Sequence, residues 1–200
     1  MLTPRPYLSW TQLDLFEKSP ERYKKTYLEG EAIPINRGMA LGKEIADALE
    51  TGEATGDLMK DVVIAKFEKL DQMDWDYKAT ITVDKLEIPL FSRIDTASKD
   101  GRKFKEYKTG ITKWNPDKVN LHGQITFYAV VLYALTGKIP EDIELAWAVS
   151  EADEFGVPHL TGEVRVFKTN RSLADILKMK IRMRNAWQGI NKLVEKEIGL

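Results

Sequence analysis

The chain has 200 residues, 43% of them hydrophobic and 30% charged, and a net charge of -1. That composition is ordinary for a globular domain with enough length for a core, and it neither requires nor excludes a local basic patch for nucleic acid. Cysteine is absent, which excludes disulfides, zinc–thiolate sites and iron–sulfur clusters built from this chain. No apolar run reaches membrane-spanning length, and MLTPRPYLSW lacks a targeting pattern, so one cytoplasmic domain over residues 1–200, with no membrane association, is expected.

The elements follow in chain order. Ser9-Trp10-Thr11-Gln12 has the spacing of a capping box and predicts a short helix after Ser9. Ser19-Pro20 predicts a second start, with Ser19 as cap and Pro20 at the first helical position, and that helix stops at Gly30. Residues 38–51 carry an apolar stripe of Leu41, Ile45, Ala48 and Leu49 at spacings of three and four, the mark of a third helix. Residues 57–70 make another. Residues 78–97 are rich in β-branched residues and predict two strands with a turn near Asp84-Lys85. SKDG, 98–101, is a turn, and RKFKEYK is the next strand. The most apolar helix runs from Asp117 to Thr136 and ends at Gly137. Two strands at 143–150 and 161–168 precede a last helix, capped by Asn170 or Ser172 and reaching about Lys196. The order predicts a mixed α/β domain, a central sheet of about five strands flanked by helices.

The stretch FKEYKTG, residues 104–110, raises a chemical question. Alternation puts Phe104, Glu106 and Lys108 on one face and Lys103, Lys105 and Tyr107 on the other. One reading is an edge strand whose lysines discourage pairing with other chains, where Glu106 and Lys108 form a solvated pair contributing about 0–1 kcal/mol. The other starts from Asp95, eleven residues before Glu106 across a tight turn. A hairpin there brings the two carboxylates together, and they repel unless a positive charge lies between them. A hard divalent cation supplies that charge through oxygen ligands. A lysine beside it neutralises developing negative charge. Asp, Glu and Lys around such a metal suit phosphodiester hydrolysis.

IDTASKDGRKFKEYKTG resembles the core of the PD-(D/E)XK nucleases, most closely the RecB-like branch, in which an apolar residue and Asp precede a turn and a strand carrying (D/E)-x-K-T-G. Asp95, Glu106, Lys108, Thr109 and Gly110 match in order. The branch's following helix carries Gln-x-x-x-Tyr, matched by Gln124 and Tyr128, one helical turn apart on one face. The opening YLSWTQLDLFEKSPERYKKTYLEG is similar to that branch's start, with Ser19 where Cys is usual. The likeness spans about residues 7–136.

The resemblance implies a restriction-endonuclease-like fold. It also implies Asp95, Glu106 and the backbone carbonyl of Tyr107 as ligands of Mg²⁺ (or Mn²⁺), Lys108 as the catalytic lysine, and Gln124 and Tyr128 at the site or the nucleic-acid backbone. The branch usually places His on the early helix, where GKEIADALE has Ala46. Glu50, one turn beyond, is a candidate third carboxylate or a solvated helix residue; Glu44 points away. His122, two residues before Gln124, reads as a boundary residue rather than a ligand. The implied activity is a stand-alone DNA exonuclease of replication, recombination or repair, resembling phage-type recombination exonucleases. Its partners would be DNA and a recombination or single-strand-binding protein. The alternative is a nucleic-acid-binding protein on the same fold with impaired catalysis. Arg22, Lys24 and Lys25 on the second helix, and Lys178, Lys180, Arg182 and Arg184 on the last, are either a DNA path or solvated faces.

Overall fold

The computed structural model describes residues 5–198. In chain order the helices and strands are α1 (Trp10–Lys18), α2 (Pro20–Tyr23), α3 (Arg37–Thr51), α4 (Leu58–Lys66), β1 (Gln72–Val83), β2 (Leu86–Ala97), β3 (Lys103–Lys108), α5 (Pro116–Asn120), α6 (Gly123–Thr136), β4 (Asp142–Ala152), β5 (Pro158–Thr169) and α7 (Leu173–Ile198). α2 runs straight into a π-helical turn, Lys24–Leu28. The caps read from the sequence are made: Ser9 Oγ accepts from Gln12 N, Ser19 Oγ from Arg22 N, and Ser172 Oγ from Asp175 N. Of the two candidates for the last cap, Ser172 is therefore the one used.

The five strands lie in the order β1-β2-β3-β4-β5. All neighbours are antiparallel except β3 and β4, which are parallel. A parallel pair needs a crossover, and α5 and α6 provide it. Asp84 and Lys85 both take positive φ, 49° and 68°, the geometry of a tight two-residue hairpin. The core has two parts. On one face α6, with Ile125, Phe127 and Ala129 to Val131 fully buried, packs among the sheet, α1 and α7. On the other, Ile45 and Leu49 of α3 and Val63 of α4 meet Ala146 and Ala148 of β4.

Three differences from the sequence reading bear on function. β3 is the middle strand, not an edge. Lys105 is buried rather than solvated, held between Glu68 at 2.5 Å and Glu144 at 2.7 Å. Its desolvation, which would lower the pKa, is outweighed by these two carboxylates, and the net shift is upward. The helix expected over 117–136 is broken at Leu121-His122, so Gln124 stands in the first turn of α6 and His122 lies outside it.

The pairing of β2 explains the shape of the site. β2 meets β3 only through Thr96–Lys105 and Ala97–Phe104. Further back it pairs with the entering chain instead: Leu8 N donates to Pro89 O at 2.8 Å and Phe91 N to Leu8 O at 3.0 Å. β2 and β3 therefore fork, and the next residues at the fork are Asp95 and Glu106.

Candidate active site

Asp95 reaches across the fork: its Oδ2 accepts from Tyr107 N at 2.6 Å. An N–H that a continued ladder would use is thus satisfied by the carboxylate, which holds Asp95 against β3. Tyr107 turns its ring to the opposite face, where it stacks on Phe67 at 4.4 Å and donates from its hydroxyl to Glu68 O at 2.7 Å. Burial, with Asp95 nearby, pushes that phenol well above its usual range.

Glu106 is 2% exposed. One of its oxygens contacts the Lys108 ammonium. The other, Oε2, is buried with no hydrogen-bond partner among the described residues. Lys108 Nζ also donates to Gln124 Oε1 at 2.8 Å, and Gln124 Nε2 donates to Tyr128 Oη at 2.7 Å. The line Glu106–Lys108–Gln124–Tyr128 joins the middle strand to α6. Tyr128, 6% exposed, rests edge-on against Phe104 at 6.2 Å.

The strand ends in a defined way. Gly110 takes φ of 97°, a left-handed conformation that glycine adopts without strain. Its N donates to Ser150 Oγ at 3.2 Å and its O accepts from Trp147 Nε1 at 3.1 Å, so β4 pins the loop after β3. At Gly42 a Cβ would lie 2.9 Å from Thr109 Oγ1. A side chain at Gly42 would require Thr109 to shift, and this close approach brings the next turn of α3, with Ala46, to the cavity.

A cavity of about 750 Å³ opens between α3 and the fork, with Ala46, Glu50, Asp95, Tyr107 and Lys108 in its lining. Glu106, Gln124 and Tyr128 lie behind Lys108. Glu50 shares the cavity but is exposed. Among the described residues no three His, Cys, Asp or Glu side chains converge as a metal-binding group. Glu44, 2.5 Å from Lys60, is engaged elsewhere. The donors at the fork still fit a hard cation. They are carboxylate oxygens, and an orphaned buried oxygen such as Glu106 Oε2 calls for a compensating charge or donor.

Several contributors have no signal in the motifs. Arg171, 6% exposed, donates to Val119 O at 3.1 Å, to His122 O at 3.3 Å and to Thr126 Oγ1 at 2.7 Å. It clamps the α5–α6 junction from which Gln124 projects, and burial lowers its pKa. His122 sits in ring contact with Trp114 at 4.8 Å and Trp10 at 6.4 Å, its Nδ1 buried and unpartnered among the described residues. Desolvation, and then the charges of Lys108, Arg171 and Lys118, pull its pKa down to about 4. Arg37 in the first turn of α3 also lines the cavity. Much of the basic surface read as a DNA path is internally paired: Arg182 with Glu17, Arg184 with Asp84, and Lys24 with Glu197 and Glu29. No described helix is long and apolar enough to cross a membrane.

No family model matches the chain, and no curated protein matches it in sequence. Solved structures do match in fold. A "Putative exonuclease" from Eubacterium rectale superposes with a TM-score of 0.59 at 12% identity, covering 97% of this chain and 82% of that one. SSO0001 superposes with a TM-score of 0.50 at 13% identity, covering 92% and 77%. The chain shares their fold, and its mixed sheet flanked by helices has the restriction-endonuclease-like form expected.

Proposed function

We propose that this protein is a metal-dependent DNA nuclease of the PD-(D/E)XK type, acting as an exonuclease in recombination, replication or repair. The observation that carries the reading is the fork itself. Asp95 and Glu106 are the first residues past the last β2–β3 pair, where the strands diverge, and Lys108 stands between Glu106 and Gln124. The fold neighbour named as an exonuclease supports it.

Asp95, Glu106 and the Tyr107 carbonyl would hold Mg²⁺ or Mn²⁺. Such an ion, when bound, polarises a phosphoryl oxygen and eases deprotonation of water. The chain's own residues do the rest. An ammonium has three donors. Lys108 directs two of them to Glu106 and Gln124, which leaves one for a phosphate oxygen or the attacking water. Gln124 is itself oriented by Tyr128, so the ammonium is held before substrate arrives, and preorganised charge is what lowers a barrier. Hydrolysis adds water across one P–O bond, leaving a phosphate on one product and a hydroxyl on the other.

The test is cleavage of linear and circular, single- and double-stranded DNA with Mn²⁺, with and without EDTA. Cleavage that EDTA stops, and that Asp95→Ala, Glu106→Ala and Lys108→Ala each abolish with the fold retained, is the expected result. Failure to cut any of these substrates refutes catalysis and leaves a nucleic-acid-binding protein. Mn²⁺ at about 100 times its dissociation constant should add about 2.7 kcal/mol to the stability of the wild type, and Glu106→Gln should remove most of that gain.

A further inference from the structure

We propose that the cavity beside Lys108 contains a nucleobase subsite, formed by Met39 in the first turn of α3 and Ile111 in the loop after β3, that holds the base next to the cleaved phosphate. The inference rests on the nuclease reading above. Met39 and Ile111 are 48% and 52% exposed, yet both line the same cavity as Asp95 and Lys108. Single apolar residues on a convex surface are unremarkable, whereas apolar side chains brought together in a cavity mark a ligand surface. Met73 and Pro158 continue the apolar lining. Asn36 Oδ1, next to Met39 in the lining, is engaged, accepting from Met39 N at 2.9 Å.

The cavity is of small-ligand size. Pockets of about 300–1,000 Å³ take small-molecule ligands; 750 Å³ accommodates a nucleotide or two and not a stacked duplex. The lining carries Lys108 and Arg37 as cations for phosphate and Asp95 and Glu50 as carboxylates beside its apolar residues. An apolar wall accepts the flat face of any base and reads no edge. The subsite therefore requires a base without selecting among bases.

Two oligonucleotides distinguish this, identical except that one carries a stable abasic residue at the nucleotide to be removed. With Mn²⁺, wild type should cut the abasic one slower by about tenfold or more. Ile111→Ser combined with Met39→Ser should bring the two rates toward equality, and the apolar replacement Ile111→Leu should keep the difference. Equal rates in wild type, or an undiminished ratio in the double variant, overturns the subsite while leaving the nuclease reading intact. If no DNA is cut at all, the nuclease reading fails on its own, and binding in EDTA decides the subsite. Preference for the base-bearing oligonucleotide that the double variant loses supports it, and equal binding refutes it.

Discussion

Lys108 Nζ donates to Gln124 Oε1 at 2.8 Å, and this bond ties the middle strand of the sheet to the first turn of α6. Its consequence is that the ammonium is placed by an element its own strand does not contain. Residues that orient a reactive group around a metal site typically contribute about 10–100-fold. Gln124→Ala should lower kcat by about that factor with KM little changed, and Lys108→Ala should cost about 10²–10³-fold or more. Steady-state kinetics on one oligonucleotide checks both. An unaltered kcat in Gln124→Ala would mean that Lys108 finds its position without α6.

His122 predicts an acid dependence. Its pKa falls from 6.5 to about 4 in the folded protein because the ring is desolvated and faces Lys108, Arg171 and Lys118, with Asp14 opposing weakly. Between pH 6.5 and 4 the unfolded chain binds a proton here that the folded chain refuses. Stability therefore falls as pH drops through that window, and above it the group contributes no slope. His122→Phe keeps a ring between Trp10 and Trp114 and removes the titration. Urea unfolding at pH 7 and pH 4.5 should show a smaller decrease in the variant than in wild type. Equal decreases would mean that the ring titrates normally.

Much of the fold is legible in the sequence because its signals are local. The Asp84-Lys85 turn, the Ser9 and Ser19 caps and the stop at Gly137 each follow from residue chemistry within a few positions. The parts that the sequence hides are set by distant partners. KVNLHGQ reads as continuous helix, yet α5 ends and α6 begins within it, where Arg171, about fifty residues on, takes the carbonyls of Val119 and His122. Asn115-Pro116 and Gly123 are the local hints. The charges of β3 resemble those of an edge strand, and only folding pairs Lys105 with Glu68 and Glu144. β1 begins at Gln72 because QMDWDY pairs with 92–97 across the hairpin, although it lacks β-branched residues. The site motif is legible as a line of residues. The fork that separates Asp95 from a continued ladder, and the closeness of α3 through Gly42, are not.

The pairing of surface cations predicts which of them carry DNA. Arg184 is bonded to Asp84 and Arg182 to Glu17, so neither arrives at a phosphate without breaking an existing pair. Arg37 lines the cavity and has no ion pair among the described residues. Removing one phosphate-binding cation reduces the slope of log affinity against log salt by about 1. Arg37→Ala should produce that reduction, and Arg184→Ala should leave the slope unchanged. Fluorescence anisotropy at several salt concentrations gives both slopes, and the reverse result would place the DNA along α7 instead.

Ala46 and Glu50 both line the cavity, one turn apart on α3, and Gly42 allows that helix to lie close to Thr109. Among the described residues no third His, Cys, Asp or Glu side chain joins Asp95 and Glu106 in a metal-binding group. Mg²⁺ keeps several waters and binds with one or two carboxylates, but weakly when charge is short. Glu50 is exposed and lines the cavity, so its side chain is not committed to a buried position. If it supplies the third carboxylate, Glu50→Gln should raise the metal concentration for half-maximal activity by about tenfold, equivalent to about 1.4 kcal/mol. Ala46→His introduces an imidazole at a position already open to the cavity, where nothing buried must be displaced. It should lower the Mn²⁺ requirement, since imidazole suits transition metals better than Mg²⁺. Metal titrations of activity, and of melting temperature in the absence of DNA, report the two variants independently. A response to Ala46→His alone would leave Glu50 a surface residue on a correctly placed helix, and a response to neither would place the remaining ligand outside α3.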